Sequence, residues 1–241
     1  MLADLAKDFG IVLDEKKISL FEEYKRLVLL ANEKMNLTAI TDSEEIDVKH
    51  FLDSLSLAKS GLIKDGVRLI DVGTGAGFPA IPLKIAYPEI CVVMLDSLNK
   101  RVSFLNDVIK SLGLTNISAY HMRAEEGGRK EEFREQFDIA TARAVANLAT
   151  LSEYCLPFVK VGGYFVAMKG ANIDEEIEGA KPAFDILGGK LQDVIDIKLK
   201  LREETINHTL VLVKKIQPTL AKYPRKPPLA TNKPLGKQDL K

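Results

Sequence analysis

The stretch Leu69-Ile70-Asp71-Val72-Gly73-Thr74-Gly75-Ala76-Gly77-Phe78-Pro79 decides how this chain folds. An apolar run closes on an aspartate, a glycine-rich turn follows, and a proline marks the start of a helix. A buried parallel strand hands over to a helix in this way beside a nucleotide-like ligand. Glycines at 73, 75 and 77 let backbone approach a ligand, and the helix N-terminus beyond them is expected to offer unpaired N–H groups. The spacing separates cofactors. A dinucleotide fingerprint carries glycine or alanine three residues after its second glycine, and here that position is Phe78.

Outward from the turn, short β-like runs alternate with helical patterns. Strands are predicted at Val67–Val72, Ile90–Asp96, Asn116–His121, Phe137–Ala142 and Tyr164–Met168. Helices fit between and after them at Pro79–Ala86, Leu98–Leu112, Asn147–Leu156 and Ile173–Leu187. Such alternation means parallel strands joined by right-handed crossovers, an open doubly wound α/β sheet. Leu191–Leu201 and Asn207–Lys215 then read as consecutive strands without a helix between them, a terminal antiparallel hairpin.

Ahead of the first strand, apolar residues from Ile18 to Met35 recur at helical spacing, and Ser19 with Glu22 fits a capping box. Thr41 with Glu44 repeats that signal for a second helix through Ile46, His50, Phe51, Leu55 and Ala58. The expected organisation is a helical extension over residues 1–60, a core over 61–216 and a basic, proline-rich tail over 217–241.

Composition narrows the class. Apolar content of 46% and charged content of 28% are those of an ordinary globular protein, and no apolar run is long enough to cross a bilayer. Residues 1–10 carry Asp4, Lys7 and Asp8 where a signal peptide would have an apolar core. Cys91 and Cys155 match no metal or redox spacing and stand in apolar contexts, so free buried thiols in a cytoplasmic protein are expected. A net charge of zero argues against a uniformly basic nucleic-acid binder. The end of the chain is different: Lys214, Lys215, Lys222, Arg225, Lys226, Lys233, Lys237 and Lys241 face only Asp239, among five prolines. That segment reads as an extended terminus, either simply solvated or tracking phosphates.

Ligands in open α/β sheets bind outside the carboxyl ends of the strands. Asp96, 23 residues beyond Gly73, can accept hydrogen bonds from ribose hydroxyls, and it can equally cap the helix after Ser97. His121-Met122-Arg123-Ala124-Glu125-Glu126 follows the third strand, with the solvated charges Arg129-Lys130-Glu131-Glu132 behind it. Arg143 ends the fourth strand in apolar surroundings and needs an anionic partner, whether ligand or structural carboxylate. Lys169-Gly170 stands in the same position on the fifth. The three histidines belong to no recognisable dyad.

GxGxG followed by a bulky residue resembles the S-adenosylmethionine loop of class I methyltransferases, whose Rossmann-like, mostly parallel sheet ends in an antiparallel hairpin. Five blocks carry a closer resemblance: Asn36-Leu37-Thr38-Ala39-Ile40 with Lys49-His50-Phe51-Leu52-Asp53-Ser54; Asp71 through Pro79; Asp96-Ser97 with Lys100-Arg101; Thr141-Ala142-Arg143-Ala144; and Tyr223-Pro224-Arg225-Lys226. With these the chain resembles the bacterial small-subunit ribosomal RNA guanine-N7 methyltransferases, the RsmG type, also known as glucose-inhibited division protein B. The glycine turn is common to many methyltransferases, whereas the two terminal blocks are specific. The resemblance implies that Gly73, Gly75, Gly77, Phe78, Ala124, Glu125 and Arg143 line the S-adenosylmethionine site, with Asp96 and Ser97 over the ribose. In methyltransferases of this class an acidic or amide side chain after the third strand meets the adenine amino group. The implied acceptor is one guanine of 16S ribosomal RNA, free or in an assembling small subunit, modified in the cytoplasm by a monomer without metal.

Guanine N7 carries no proton in the neutral base, so its lone pair can attack a sulfonium methyl directly. Alignment and exclusion of water are then required, and a general base is not. Arg143 becomes a positioning group. His50, Asp53, Arg123 and Arg143 are expected to rim the acceptor pocket while Lys and Arg of the tail hold RNA phosphates. Two rival readings are a methyltransferase for a small molecule or protein, and a nucleotide-binding oxidoreductase or ligand sensor. Phe78 and the terminal hairpin argue against NAD.

Overall fold

The computed structural model describes residues 2–143 and 146–239; Ala144 of the fourth-strand block and Lys241 of the tail lie outside them. In chain order come α1 (Leu2–Lys7), α2 (Glu15–Met35), α3 (Ser43–Ile46), a π-helical segment (Asp47–Leu52), α4 (Asp53–Leu55) and a 3-10 turn (Ser56–Ser60). The core follows: β1 (Arg68–Val72), α5 (Ala80–Ala86), β2 (Cys91–Asp96), α6 (Asn99–Ser111), β3 (Ile117–His121), α7 (Ala124–Gly127), β4 (Phe137–Arg143), α8 (Leu148–Cys155), β5 (Val159–Gly170), α9 (Asp174–Ile186), β6 (Gly189–Leu201) and β7 (Glu204–Lys215). A last short helix, α10 (Leu229–Asn232), lies in the tail.

Among the described residues the strands form one sheet in the order β3-β2-β1-β4-β5-β7-β6. β1 to β5 are parallel, and β7 runs antiparallel between β5 and β6. The chain winds outward from β1 through β2 to β3, then returns to lay β4 on the other side of β1. That reversal opens a crevice at the carboxyl ends of β1 and β4, the place where such sheets take ligands. The predicted strands and helices all occur, and the largest difference is β5, which begins five residues before the expected Tyr164.

Alternation along β1 divides the core. Leu69 joins the apolar layer that includes Phe21, Tyr24, Phe51, Ile81 and Leu105. Ile70 and Val72 point the other way, toward Leu148, Leu151, Phe165 and Phe184. Helices α2, α5 and α6 therefore cover one face and α8 and α9 the other. Lys25 of α2 and Asp47 of the π-helical segment, both buried, pair at 2.7 Å and join the N-terminal helices to each other.

Several local expectations need correction. Helix α2 begins earlier than the Ser19 box, because Asp14 accepts from the Lys17 N–H at 2.8 Å and caps it. Asp42, in place of Thr41, caps α3 through the Glu45 N–H. Cys91 is exposed at the start of β2, whereas Cys155 is buried. The tail is packed against the core: Tyr223 and Leu235 are buried, and Arg134 donates to the carbonyls of Thr219, Leu220 and Tyr223. Among the described residues no helix is long and apolar enough to cross a membrane.

Candidate active site

The glycine turn is held from inside. Asp71, the penultimate residue of β1, is fully buried, and its Oδ2 accepts from the Thr74 hydroxyl at 2.6 Å and from the Ala80 N–H at 3.3 Å. Burial pushes its carboxyl up to about 7 against those bonds. Gly73 and Thr74 donate to Leu95 O, Gly77 and Phe78 donate to Thr74 O, and Gly75 donates to Asp96 Oδ2 at 3.0 Å. These N–H groups are thus spent within the chain, contrary to the expected anion-binding helix start. Gly77 serves packing: a Cβ there would lie 2.5 Å from Ile81 Cδ1 and 2.9 Å from the Tyr24 hydroxyl.

Beside the turn lies a cavity of about 260 Å³ lined by Gly73, Asp96, Ser97, Arg123, Ala124 and Glu125, with Tyr154 and Thr231 closing one side. Asp96 does not cap α6. Its Oδ1 accepts from the Leu98 N–H at 2.9 Å while its Oδ2 holds Gly75, and Arg101 stands 3.5 Å away. Each oxygen keeps a lone pair, and the side chain is 3% exposed. Glu125 is as deeply buried; Oε2 lies 3.7 Å from Arg123 and Oε1 has no partner among the described residues. A buried, unpaired carboxylate oxygen on a cavity wall is costly unless a ligand donates to it. The free acceptors on this wall, Asp96 and Glu125 Oε1, suit S-adenosylmethionine, which brings an amino group, ribose hydroxyls and an ammonium.

A second cavity, about 300 Å³, opens where β4, β5 and β7 meet the N-terminal helices, and is lined by Lys49, His50, Asp53, Arg143, Lys169 and His208 among others. The π-helical segment carries two of them, Lys49 and His50, and Asp53 follows it at the start of α4. The widened turn departs from the regular ladder, and Lys49 O accepts from Arg143 Nη1 at 3.2 Å. Arg143 also pairs with Asp53 Oδ2 at 2.8 Å, approaches His50 Nδ1 at 3.4 Å and lies 5.0 Å over the Phe78 ring. His50 stacks on Phe78 at 4.5 Å and meets the Thr38 hydroxyl at 2.7 Å through Nε2. Burial, then the Arg143 charge, lowers its pKa to about 4, so it is neutral, and Nε2 carries its proton if Nδ1 faces Arg143. The other Asp53 oxygen lies 2.5 Å from His208 Nδ1. Burial opposes ionisation of Asp53, but the His208 and Arg143 partners outweigh it and hold its carboxyl below the usual range.

Placement thus divides the sequence candidates. Gly73, Asp96, Ser97, Ala124 and Glu125 share the first cavity, and Arg123 stands there with them instead of at the expected acceptor rim. His50, Asp53 and Arg143 share the second, so Arg143 is not on the first cavity's wall. Phe78 lines neither and instead supports His50 and Arg143 from below; Gly75 contributes through its bond to Asp96. Sequence reading missed His208, Tyr154 and Thr231. The structure does form a histidine–carboxylate pair, His208 with Asp53, across 155 positions that no local spacing could reveal.

The tail block has a structural task. Arg225 makes a forked contact with Glu153, at 2.9 Å from Nε to Oε1 and 2.6 Å from Nη2 to Oε2, and Glu153 is fully buried. The Tyr154 hydroxyl meets the Thr231 hydroxyl at 2.9 Å, and Thr150 donates to Ala230 O at 2.9 Å, so the tail forms one wall of the first cavity.

Comparison with known proteins gives the family and the fold. The family model for rRNA small subunit methyltransferase G, GidB, matches residues 17–206. The ribosomal RNA small subunit methyltransferase G of Clostridium tetani is 50% identical over 235 residues, covering 98% of both chains. That of Acetivibrio thermocellus is 51% identical over 236 residues, covering 98% of this chain and 96% of its own. In fold, M. jannaschii TYW2 in complex with AdoMet aligns with a TM-score of 0.52 at 18% identity, covering 68% of this chain and 77% of that one. TrmN from Thermus thermophilus aligns at 0.52 and 17% identity over 68% and 48%. With its sheet order, glycine turn and near-complete alignment to such relatives, this chain belongs to the rRNA small subunit methyltransferase G family.

Proposed function

We propose that the chain transfers a methyl group from S-adenosylmethionine to N7 of one guanine in 16S ribosomal RNA. Gly73, Asp96, Ser97, Ala124 and Glu125 hold the cofactor, and His50, Asp53 and Arg143 rim the place of the guanine. Bound S-adenosylmethionine supplies an electrophilic methyl group. The observation that carries the N7 reading is the state of Asp53: both oxygens are engaged, by Arg143 and His208, so the second cavity offers no free carboxylate base. A nucleophile that carries no proton needs none. The work left to the protein is alignment of base and methyl donor in a space closed to water.

The chain acts as a monomer on ribosomal RNA in the cytoplasm. The helical extension braces the glycine turn through Tyr24, the sheet carries the cavity edge, and the tail adds Thr231 to the cofactor cavity. The test is to incubate the purified protein with S-adenosylmethionine and small subunits from cells lacking this gene, then map N7-methylguanosine in the RNA. One new N7-methylguanosine is expected. Methylation at another atom, or none on RNA, overturns the proposal.

A further inference from the structure

The second cavity contains one polar ring atom that the protein leaves free. Arg143 spends three of its five N–H groups on Asp53, Lys49 O and His50, and both ring nitrogens of His50 are engaged, by Thr38 and Arg143. Lys49 already holds Glu45 at 2.8 Å, and Lys169 holds Glu176 at 2.8 Å. His208 is different. Its Nδ1 is fixed on Asp53 Oδ1 at 2.5 Å, its side chain is 29% exposed on the cavity wall, and its Nε2 has no partner among the described residues. A carboxylate that fixes one ring nitrogen sets the ring's orientation and leaves the other nitrogen for a ligand.

Resting on the methyl-transfer reading above, we propose that His208 determines acceptor specificity: its Nε2–H donates a hydrogen bond to O6 of the target guanine and so turns N7 toward the methyl donor. O6 and N7 share one edge of guanine, so a donor on O6 fixes the in-plane rotation of the base without occupying the N7 lone pair. Adenine presents an amino group at that position, and a donor facing it is repelled. With Asp53 accepting from Nδ1, donation from Nε2 requires the imidazolium. The Asp53 hydrogen bond raises the His208 pKa, against burial and the Arg143 charge. The charged groups around the ring are Asp53 and Lys49 from the N-terminal helices, Arg143 from β4 and Lys169 from β5. On β6 its register partner is Ile197, flanked by Asp196 and Lys198.

The test compares wild type, His208→Ala and His208→Gln on small subunits lacking the modification, from pH about 6 to about 9, with S-adenosylhomocysteine binding measured in parallel. We expect wild-type kcat/KM to fall as pH rises through the His208 titration. His208→Ala should lose about 10- to 100-fold at the lower pH and show no such limb. His208→Gln, a neutral donor, should recover part of that loss, also without the limb. S-adenosylhomocysteine affinity and the salt dependence of RNA binding should be unchanged in both. Wild-type activity that rises with pH would make His208 a general base and overturn the proposal. So would undiminished methylation in His208→Ala, or a salt slope reduced by about one, which marks a phosphate contact. Absence of N7 methylation by wild type would instead overturn the functional reading, and this inference with it.

Discussion

The Tyr24 hydroxyl donates to the backbone carbonyl of Ala76 at 2.7 Å, so a residue of the N-terminal helical extension holds the glycine turn of the core from 52 positions away. Tyr24 is fully buried and packs on Phe51 and Phe78, which places the extension against the glycine turn. Tyr24→Phe keeps the packing and leaves the buried carbonyl unpaired. The expected cost is about 1–3 kcal/mol, read as a lower urea midpoint at unchanged slope, together with weaker S-adenosylhomocysteine binding. A midpoint equal to wild type would show that the turn holds itself.

Glu125 carries the unpaired buried oxygen of the cofactor cavity. Glu125→Ala should weaken S-adenosylhomocysteine binding by about tenfold or more in calorimetry, the loss of one charge-assisted hydrogen bond. Arg123→Ala should change it less, since Arg123 is 53% exposed and its pair with Glu125 is 3.7 Å long. Equal affinities in wild type and Glu125→Ala would remove this side chain from the cofactor site.

Arg225 belongs to the basic tail, and its position predicts a loss of stability, with RNA phosphate contacts unaffected. Arg225→Ala strands the buried Glu153 carboxylate and should cost about 3–5 kcal/mol in urea unfolding. Adding Glu153→Gln should restore part of it. RNA binding measured across salt concentrations should keep its slope in the single variant under conditions where it is folded. A shallower slope with native stability would return Arg225 to the RNA interface.

His50 makes stability fall on the acid side. Its pKa is about 4 in the folded protein and near 6.5 when exposed, so between those values the unfolded chain binds more protons. Stability from this group is complete above pH about 6.5 and is lost as pH drops toward 4. His50→Gln should flatten that part of the profile relative to wild type. Parallel urea midpoints between pH about 5 and about 7 decide it, and identical slopes for the two proteins would exclude the assignment.

The elements of the sheet are legible in the sequence because their signals are local. Period-two runs, helical spacing and glycine punctuation name every strand and its order along the chain. Asp96 and Glu125 stand out as ligand residues because a parallel sheet brings the ends of successive strands to one edge. Cys91 departs from expectation for the complementary reason: apolar neighbours in sequence do not fix which side of a strand end is covered. The tail packs where an extended terminus is expected because lysines and prolines describe composition, whereas Arg225 is placed by the buried Glu153 of another element.

The sequence by itself determined the fold, the cofactor turn and the family, since each rests on locally readable runs and motifs, for the family five short blocks in order along the chain. The tertiary structure alone decided which groups share a cavity. Asp53, Arg143 and His208 come from the N-terminal helices, β4 and β7, with 90 positions separating the first pair and 155 separating Asp53 from His208. Their meeting depends on β4 returning beside β1 and on β7 inserting between β5 and β6. Strand order is a property of the closed sheet, so neither the Asp53–His208 pair nor the free Nε2 it orients could be read from spacing.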